Sequence, residues 1–286
     1  MRHTKEYLKL ENTCAVYGKF DGMHRGHLKV VKKVAEEAKK AGLASVIVSF
    51  SGEKQVLTTE QEKAYFAEKE GIDTFISTVE EEMDIAEFVK EILSEQLGVK
   101  ILVVGENHSD LAEVKEQAEK NGMEVLVVET EKEGSETITR DTILQAYQDS
   151  DYEKIETLCG HPFIIMGEVV HGKALGRTVG MPTANVGVPE NKIKPIDGVY
   201  ATLGHVAGGV YKSLTNIGRR PSVDSHDYVT IEAFLLDFKK DIYGEPFLLE
   251  VHKFIRGVRK FDNLEEVQQQ VQVDLGQVRD FLEKIA

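Results

Sequence analysis

Two stretches of this chain combine residue types that could handle phosphate. The first is His24-Arg25-Gly26-His27, where a short apolar run, residues 13–18, gives way to a helical pattern. A helix N-terminus presents unpaired N–H groups and the positive end of a dipole, which favours an anion. Two imidazoles add donors at the same place, and Gly26 lets a nucleotide approach the backbone. Nothing in the stretch supplies a nucleophile, so the chemistry implied is charge stabilisation during attack at an α-phosphate. Taken alone, a His-x-x-His pair also fits metal binding or two surface histidines. The second stretch follows an apolar, β-branched run, Phe163 to Val170. It places Gly172, Gly176 and Gly180 at four-residue intervals and closes on Pro182-Thr183-Ala184-Asn185. Glycines after a strand let backbone N–H groups turn toward a ligand. No Gly-Lys-Ser/Thr follows, so this is not a Walker loop. Thr183 and Asn185 offer a hydroxyl and an amide oxygen, hard ligands that suit a magnesium carried by ATP. A glycine-rich turn before a Pro-interrupted strand is the plainer reading.

Composition bounds the rest. A chain of 286 residues suggests about two domains. Thirty-five basic against 49 acidic side chains leave a net charge of −14, which argues against nucleic-acid or anionic-membrane partners. A nucleotide substrate stays open, because a few local cations and a magnesium suffice. The two cysteines, Cys14 and Cys159, form neither a disulfide framework nor zinc-ligand spacing. No apolar run approaches the length of a membrane span, and the start lacks the apolar core of a signal peptide, so a cytoplasmic protein is expected.

The elements that must position these residues alternate in the first half. Strands are expected at 13–18, 43–50, 74–77, 100–104 and 124–128, with helices at 25–41, 59–70, 85–97 and 111–120. That order implies an α/β domain, a doubly wound, Rossmann-like parallel sheet whose ligands lie beyond the carboxyl ends of its strands. A helical segment at 150–160 leads to a boundary near Gly160, giving domains 1–160 and 161–286. Beyond it short alternating strands recur at 163–170, 198–206, 209–216, 228–237 and 247–254, which predicts a small antiparallel β-barrel closed by a helix over 263–285. Within the fourth of these, Ile231, Ala233 and Leu235 alternate with Glu232, Phe234 and Leu236. Glu232 shares a face with Phe and Leu, unusual for an acid, although an edge-strand carboxylate at the surface is the simpler account.

The run Gly172-x-x-x-Gly-x-x-x-Gly-Met-Pro-Thr-Ala-Asn185 resembles the signature of riboflavin kinase. The string Gly18-Lys-Phe20-Asp21-Gly22-Met-His24-Arg-Gly26-His27 is similar to the nucleotidyltransferase motif in its FAD synthetase form. Nearly the whole chain resembles the bifunctional prokaryotic riboflavin kinase/FAD synthetase family. The resemblance implies an ATP-dependent phosphorylation of riboflavin to FMN in the second domain and adenylylation of FMN to FAD in the first. It implies Glu232 as the base for the ribityl 5′-hydroxyl, with Thr183 and Asn185 on the magnesium and ATP phosphates. His24 and His27 would act on the phosphates of the second ATP, with Gly18, Phe20, Asp21, Gly22 and Gly26 around them. Asn216-Ile-Gly-Arg-Arg220-Pro resembles a family loop whose other reading is a solvated turn. Phe254-Ile-Arg256 opens a segment similar to the flavin-side flap. Riboflavin, FMN, FAD and ATP are the partners implied; oligomeric state is not legible.

The departures lie on the adenylyl side. Where the family has Pro-His-Pro after a strand, this chain has Ser51-Gly-Glu-Lys54. Asn107-His-Ser-Asp-Leu111 replaces Asp-Phe-x-Phe-Gly. Ile138-Thr-Arg-Asp-Thr-Ile-Leu144 stands for Ile-Ser-Ser-x-x-Ile-Arg, with leucine at the arginine place and Arg140 shifted from it. Arg219 and Val258 also differ from the family pattern. The first domain therefore reads either as a degenerate scaffold or as an adenylyltransferase with a rebuilt flavin site. A non-catalytic flavin or nucleotide sensor is the reading from another class, and an intact Glu232 counts against it.

Overall fold

Short β-branched runs punctuated by glycine build the first half as a sheet. In the computed structural model, described over residues 1–79, 83–171, 182–220 and 228–285, the chain divides into two compact units, Met1–Arg140 and Asp141–Ala286. The side chains of Arg220 and Tyr228 lie outside that description as well.

In the first unit β1 (Arg2–Thr4), β2 (Thr13–Gly18), β3 (Ala44–Ser51), β4 (Thr74–Val79), β5 (Val99–Gly105) and β6 (Glu124–Val128) form a six-stranded sheet in the order β1-β4-β3-β2-β5-β6. Every pairing is parallel. The chain steps outward from β2 through β3 to β4, then returns to β5 on the other side of β2. The carboxyl ends of β2 and β5 therefore border the crevice where doubly wound sheets bind ligands. Helix α1 (Arg25–Ala41) buries Val30, Val31, Val34 and Ala38 and stops at Gly42, whose φ of 68° is left-handed. Helix α2 (Glu60–Lys69) begins with a capping box in which Thr59 and Glu62 satisfy each other's backbone N–H groups. The expected helix over 85–97 takes a different form. A short α3 (Ile85–Glu87) passes into nine residues of π-helix, Phe88–Gln96, before α4 (Leu111–Lys120). Strand β1 and the hairpin of β7 (Lys132–Glu133) and β8 (Glu136–Thr137) were not foreshadowed, because two or three residues carry no periodicity.

Helix α5 (Arg140–Gln148) starts on the last residue of the first unit and continues into the second, where α6 (Tyr152–Cys159) follows. Strands β9 (Phe163–Val170), β10 (Ala184–Gly187), β11 (Gly198–Val206), β12 (Gly209–Arg220), β13 (Tyr228–Leu235) and β14 (Pro246–Gly257) close an antiparallel barrel in the order β10-β13-β12-β11-β14-β9. Closure removes every free sheet edge. The interior holds Tyr200, Ile217, Ile231 and Ala233. It also holds three hydroxyls that satisfy one another, with Thr202 Oγ1 at 2.6 Å from Ser213 Oγ and 2.7 Å from Thr215 Oγ1. At Gly167 a Cβ would lie 1.9 Å from the Gly187 carbonyl oxygen, so β9 and β10 approach this closely only through glycine. Helix α7 (Leu264–Leu282) lays Val278 and Leu282 over Val199, Ala201 and Leu214 on the barrel's outer face.

Candidate active sites

The first unit contains a cavity of about 320 Å³ at the β2/β5 crossover, lined by Gly18, Phe20, Asp21, His24, Gly26 and His27 together with the segments after β5 and β6. The loop between β2 and α1 reaches it in an unusual conformation. Phe20 and Met23 adopt positive φ, 50° and 39°, which costs about 1–3 kcal/mol each for a side chain of this kind. Buried packing holds both residues in place. The Gly22 N–H donates to Thr58 Oγ1 at 2.8 Å and the Thr58 N–H to Asp21 Oδ1 at 2.9 Å.

His24 is the N-cap of α1. Its Nδ1 accepts the His27 backbone N–H at 3.3 Å, so in the neutral ring the proton belongs on Nε2. The two imidazoles stack with centroids 3.6 Å apart and planes at 20°. Burial, then His24 and Lys63 nearby, holds the His27 pKa well below its ordinary value, so His27 is neutral at physiological pH. Its Nδ1 is buried without a hydrogen-bond partner, an arrangement that suits a site waiting for a ligand. Gly26 has a specific task. A Cβ there would lie 3.1 Å from both Cε1 and Nδ1 of His24, so only glycine leaves that ring where the cap needs it. Arg25, between the histidines, faces the β7–β8 hairpin instead, with Nη1 at 2.6 Å from Glu133 and Nη2 at 3.4 Å from Glu131. One flank of the cavity is aromatic. Tyr17 makes edge contacts with Phe50, Phe88 and His108 at centroid distances of 6.1, 5.0 and 5.5 Å. Burial pushes the His108 pKa down.

In the barrel, strand register assembles the second constellation. Asn185 opposes Glu232 and Glu232 opposes Asn216. Asn216 in turn opposes Val199, and Val199 opposes Arg256. Directly opposed residues present their side chains on one face. Their neighbours Ala184, Ala233 and Thr215 are buried inside, so Asn185, Glu232, Asn216 and Arg256 share the outer face in one belt. Glu232 is half-buried and Asn216 exposed. Arg256 is largely committed to α7, with Nε 3.0 Å from both oxygens of the buried Asp274 and Nη2 2.7 Å from Oδ2. On the inward side of β10 and β13, opposite the belt, lies a cavity of about 490 Å³ lined by Ala184, Ala233 and Leu235 together with Pro182, Thr183, Lys239, Lys240 and Tyr243. The His171 ring stacks on Tyr243 at 3.9 Å. Asn185 and Glu232 are not among the residues lining that cavity. Thr183, Asn185 and Glu232 together supply hydroxyl, amide and carboxylate oxygens, a donor set that could hold a hard divalent metal.

The structure thus brings Gly18, Phe20, Asp21, Gly22, His24, Gly26 and His27 together, and separately Asn185, Glu232, Asn216 and Arg256. Gly172, Gly176 and Gly180 lie outside the described residues, as does the Arg220 side chain. Sequence reasoning did not single out Lys239, Lys240, Tyr243 or Asp274. The paired lysines were a signal in plain view, whereas Asp274 reads as one more acid on an amphipathic helix. Among the described residues no group of three or more His, Cys, Asp or Glu could hold a metal by itself, and no helix is long and apolar enough to cross a membrane.

Known proteins match both units. Residues 7–142 fit the family model described as FAD synthetase, and residues 159–282 the one described as riboflavin kinase. The bifunctional riboflavin kinase/FMN adenylyltransferase of Escherichia coli (strain K12) is 31% identical, covering 98% of this chain and 96% of its own. The protein of that description from Listeria monocytogenes is 30% identical, over 99% and 96%. A solved structure described as a macrolide-efflux protein from Streptococcus pneumoniae has a TM-score of 0.82 at 26% identity, covering 96% of each chain. With both domain models matched in order, and relatives aligned along almost its entire length, the chain belongs to the bifunctional riboflavin kinase/FMN adenylyltransferase family.

Proposed function

We propose how the two activities of this flavin-biosynthetic enzyme, phosphorylation of riboflavin to FMN and adenylylation of FMN to FAD, are divided over its residues. Residues 161–286 are the kinase and residues 1–160 the adenylyltransferase. In the kinase the Glu232 carboxylate takes the proton of the ribityl 5′-hydroxyl as that oxygen attacks the γ-phosphorus of ATP, and ADP leaves. Phosphoryl transfer asks mainly for positioning and charge neutralisation, which the belt supplies from three adjacent strands. Thr183 and Asn185 hold magnesium, which when bound neutralises phosphate charge. Gly172, Gly176 and Gly180 hold the phosphates, and Asn216, Arg220 and Arg256 border the flavin. The observation that carries this reading is the register, which puts Asn185 and Asn216 on either side of Glu232.

In the first unit a phosphate oxygen of FMN attacks the α-phosphorus of a second ATP and pyrophosphate leaves. Charge accumulating on the α-phosphate meets the N-terminus of α1 and the Nε2–H of His24. His27, stacked beneath His24, keeps that ring oriented and adds its own polar edge. Gly18, Phe20, Asp21, Gly22 and Gly26 shape the loop around the nucleotide. The chain works in the cytoplasm on riboflavin, FMN, FAD and ATP, a setting consistent with two buried cysteines that are not joined in a disulfide. Glu232→Gln tests the kinase assignment. FMN formation should fall by about 10²- to 10⁴-fold while riboflavin binding, followed by flavin fluorescence, persists. Undiminished FMN formation would remove Glu232 from the role of base.

A further inference from the structure

A second group of titratable side chains lies on the outer wall of the barrel, and none of its members lines the adenylyl or the kinase cavity. Ala201 pairs with Lys253 and Thr202 with Val251, so His252 is an extra residue on β14, a β-bulge. Val251 is buried in the barrel, and the bulge lets the two side chains after it both leave on the outer side. Lys253 reaches the Phe281 ring of α7, with Nζ 5.0 Å from its centroid. His252 turns toward α6 instead, and its side chain is only 8% exposed.

Both ring nitrogens of His252 are buried without a hydrogen bond. Each faces a carboxylate. Nε2 lies 3.5 Å from Glu250 Oε2, and Nδ1 lies 3.9 Å from Oε2 of Glu156 on α6. The other Glu250 oxygen, Oε1, lies 3.2 Å from Nε2 of His205 on β11. Burial pushes the Glu250 pKa up, but the two imidazoles outweigh it and hold the carboxyl below its ordinary value, so Glu250 is ionised at neutral pH. The remaining ionisable groups nearby are occupied or neutral. Cys159 of α6 stays a thiol, its pKa pushed up to about 12 by burial. On the other side of β14, β9 sets Phe163, Ile164 and Met166 opposite, and Lys192 beyond it donates to the Ile164 carbonyl at 2.8 Å. Glu245 lies with His205 along a shallow surface pocket.

Among the described residues no group of three such side chains could hold a metal, so the cation that suits this cluster is a proton. A neutral imidazole has one N–H and can serve one carboxylate, whereas an imidazolium has two and can serve both. The neutral ring also leaves a buried nitrogen unsatisfied, which is costly.

We propose that His252 is a protonation-controlled latch between β14 and α6. The imidazolium, gripped by Glu250, also holds Glu156 and fastens α6 to the barrel; loss of its second proton releases the helix. The unfolded chain offers no such pair of carboxylates. The latch therefore contributes on the acid side of the histidine range and is lost as pH rises through it. That sign is opposite to the one His27 gives the first unit, where a buried imidazole stays neutral. Acidification tightens one half of the chain as it loosens the other.

Hydrogen exchange on the full chain, read by mass spectrometry, tests the latch. Peptides covering α6 are followed at about pH 5.5 and about pH 8, with exchange times scaled to the intrinsic rates. Wild-type α6 should be about 2- to 5-fold better protected at the acid pH. His252→Gln and Glu156→Gln should each abolish that difference, because neither variant can form the ion pair between ring and helix. His205→Gln should keep it, since His205 meets Glu250 and not the helix. Glu156→Gln alters a half-exposed side chain, so the test stands even if the buried substitution unfolds the barrel. Equal wild-type protection at both pH values overturns the proposal, and so does a pH difference that survives in Glu156→Gln.

Discussion

Gly26→Ala separates the catalytic use of the first unit's motif from its stability. The added Cβ would lie 3.1 Å from Cε1 and Nδ1 of His24, tighter than ordinary van der Waals contact by a few tenths of an ångström. The His24 ring cannot simply retreat, because it is stacked at 3.6 Å on His27 and its Nδ1 accepts the His27 N–H. The ring must therefore tilt and loosen the cap. Losing an N-cap costs about 1 kcal/mol, while replacing glycine by alanine within a helix returns up to about 1 kcal/mol. Those terms nearly cancel, so denaturant midpoints should hardly move. Catalysis has no such compensation. Displacing a charge-stabilising donor by a fraction of an ångström to an ångström costs about 10- to 100-fold. The assay is FAD formation from FMN and Mg-ATP alongside a urea titration. A variant with native stability and undiminished FAD formation would refute the role assigned to His24. Loss of stability by several kcal/mol would show that the packing argument, not the chemistry, is at fault.

Three further outcomes follow from the same geometry. Asp274→Asn removes the charge that holds the Arg256 guanidinium, leaving a mostly buried cation unpaired. The second unit should lose about 3 kcal/mol in a urea titration and the variant should show a raised KM for riboflavin, while FAD formation from FMN stays near the wild-type rate. His27 has a depressed pKa in the folded state, so below the ordinary histidine value of about 6.5 the unfolded chain binds the extra proton. The stability of the first unit is therefore complete above that pH and lost as pH falls below it, with a slope of up to about 1.4 kcal/mol per unit. Urea titrations between pH 7 and 5, compared with His27→Asn, measure that slope, and a flat wild-type profile would contradict the buried neutral imidazole. The Cys14 and Cys159 thiols are both pushed up to about 12, mainly by burial. Neither should react with a thiol-directed alkylating reagent at neutral pH until the chain is unfolded, and fast labelling of native protein would contradict the packing around them.

Much of the fold was legible because its signals are local. Gly42 ends α1 in the left-handed conformation its sequence position demands, and Thr59 with Glu62 announces the start of α2. The alternation of Ile231, Ala233 and Leu235 with Glu232, Phe234 and Leu236 separated the two faces of β13, and the structure buries the first set in the barrel. Features that depend on what lies across a strand or over a loop were not legible. The belt from Asn185 to Arg256 exists only through register across five strands whose spacing in sequence gives no hint of it. The 85–97 segment shows a helical apolar pattern, yet a π-helix differs from an α-helix in which carbonyl each N–H meets, and periodicity over so few residues does not resolve that. The purpose of Gly26 was read as room for a nucleotide, while the structure also shows room for the His24 ring. Arg140 stood in a stretch that departs from its family, and only the contact with Asp21, distant in sequence, gives it a place in the cavity.

The central claim, that both halves of this chain are catalytic, is tested most directly by one time course. Purified chain is incubated with riboflavin and excess Mg-ATP, and the flavins are separated by chromatography. FMN should appear first and FAD after it, with FAD accumulating at the expense of FMN. FMN that never proceeds to FAD would contradict the adenylyltransferase half of the account. FAD from supplied FMN with no FMN from riboflavin would contradict the kinase half. Bound flavin with no turnover would contradict both, and would make the chain a sensor.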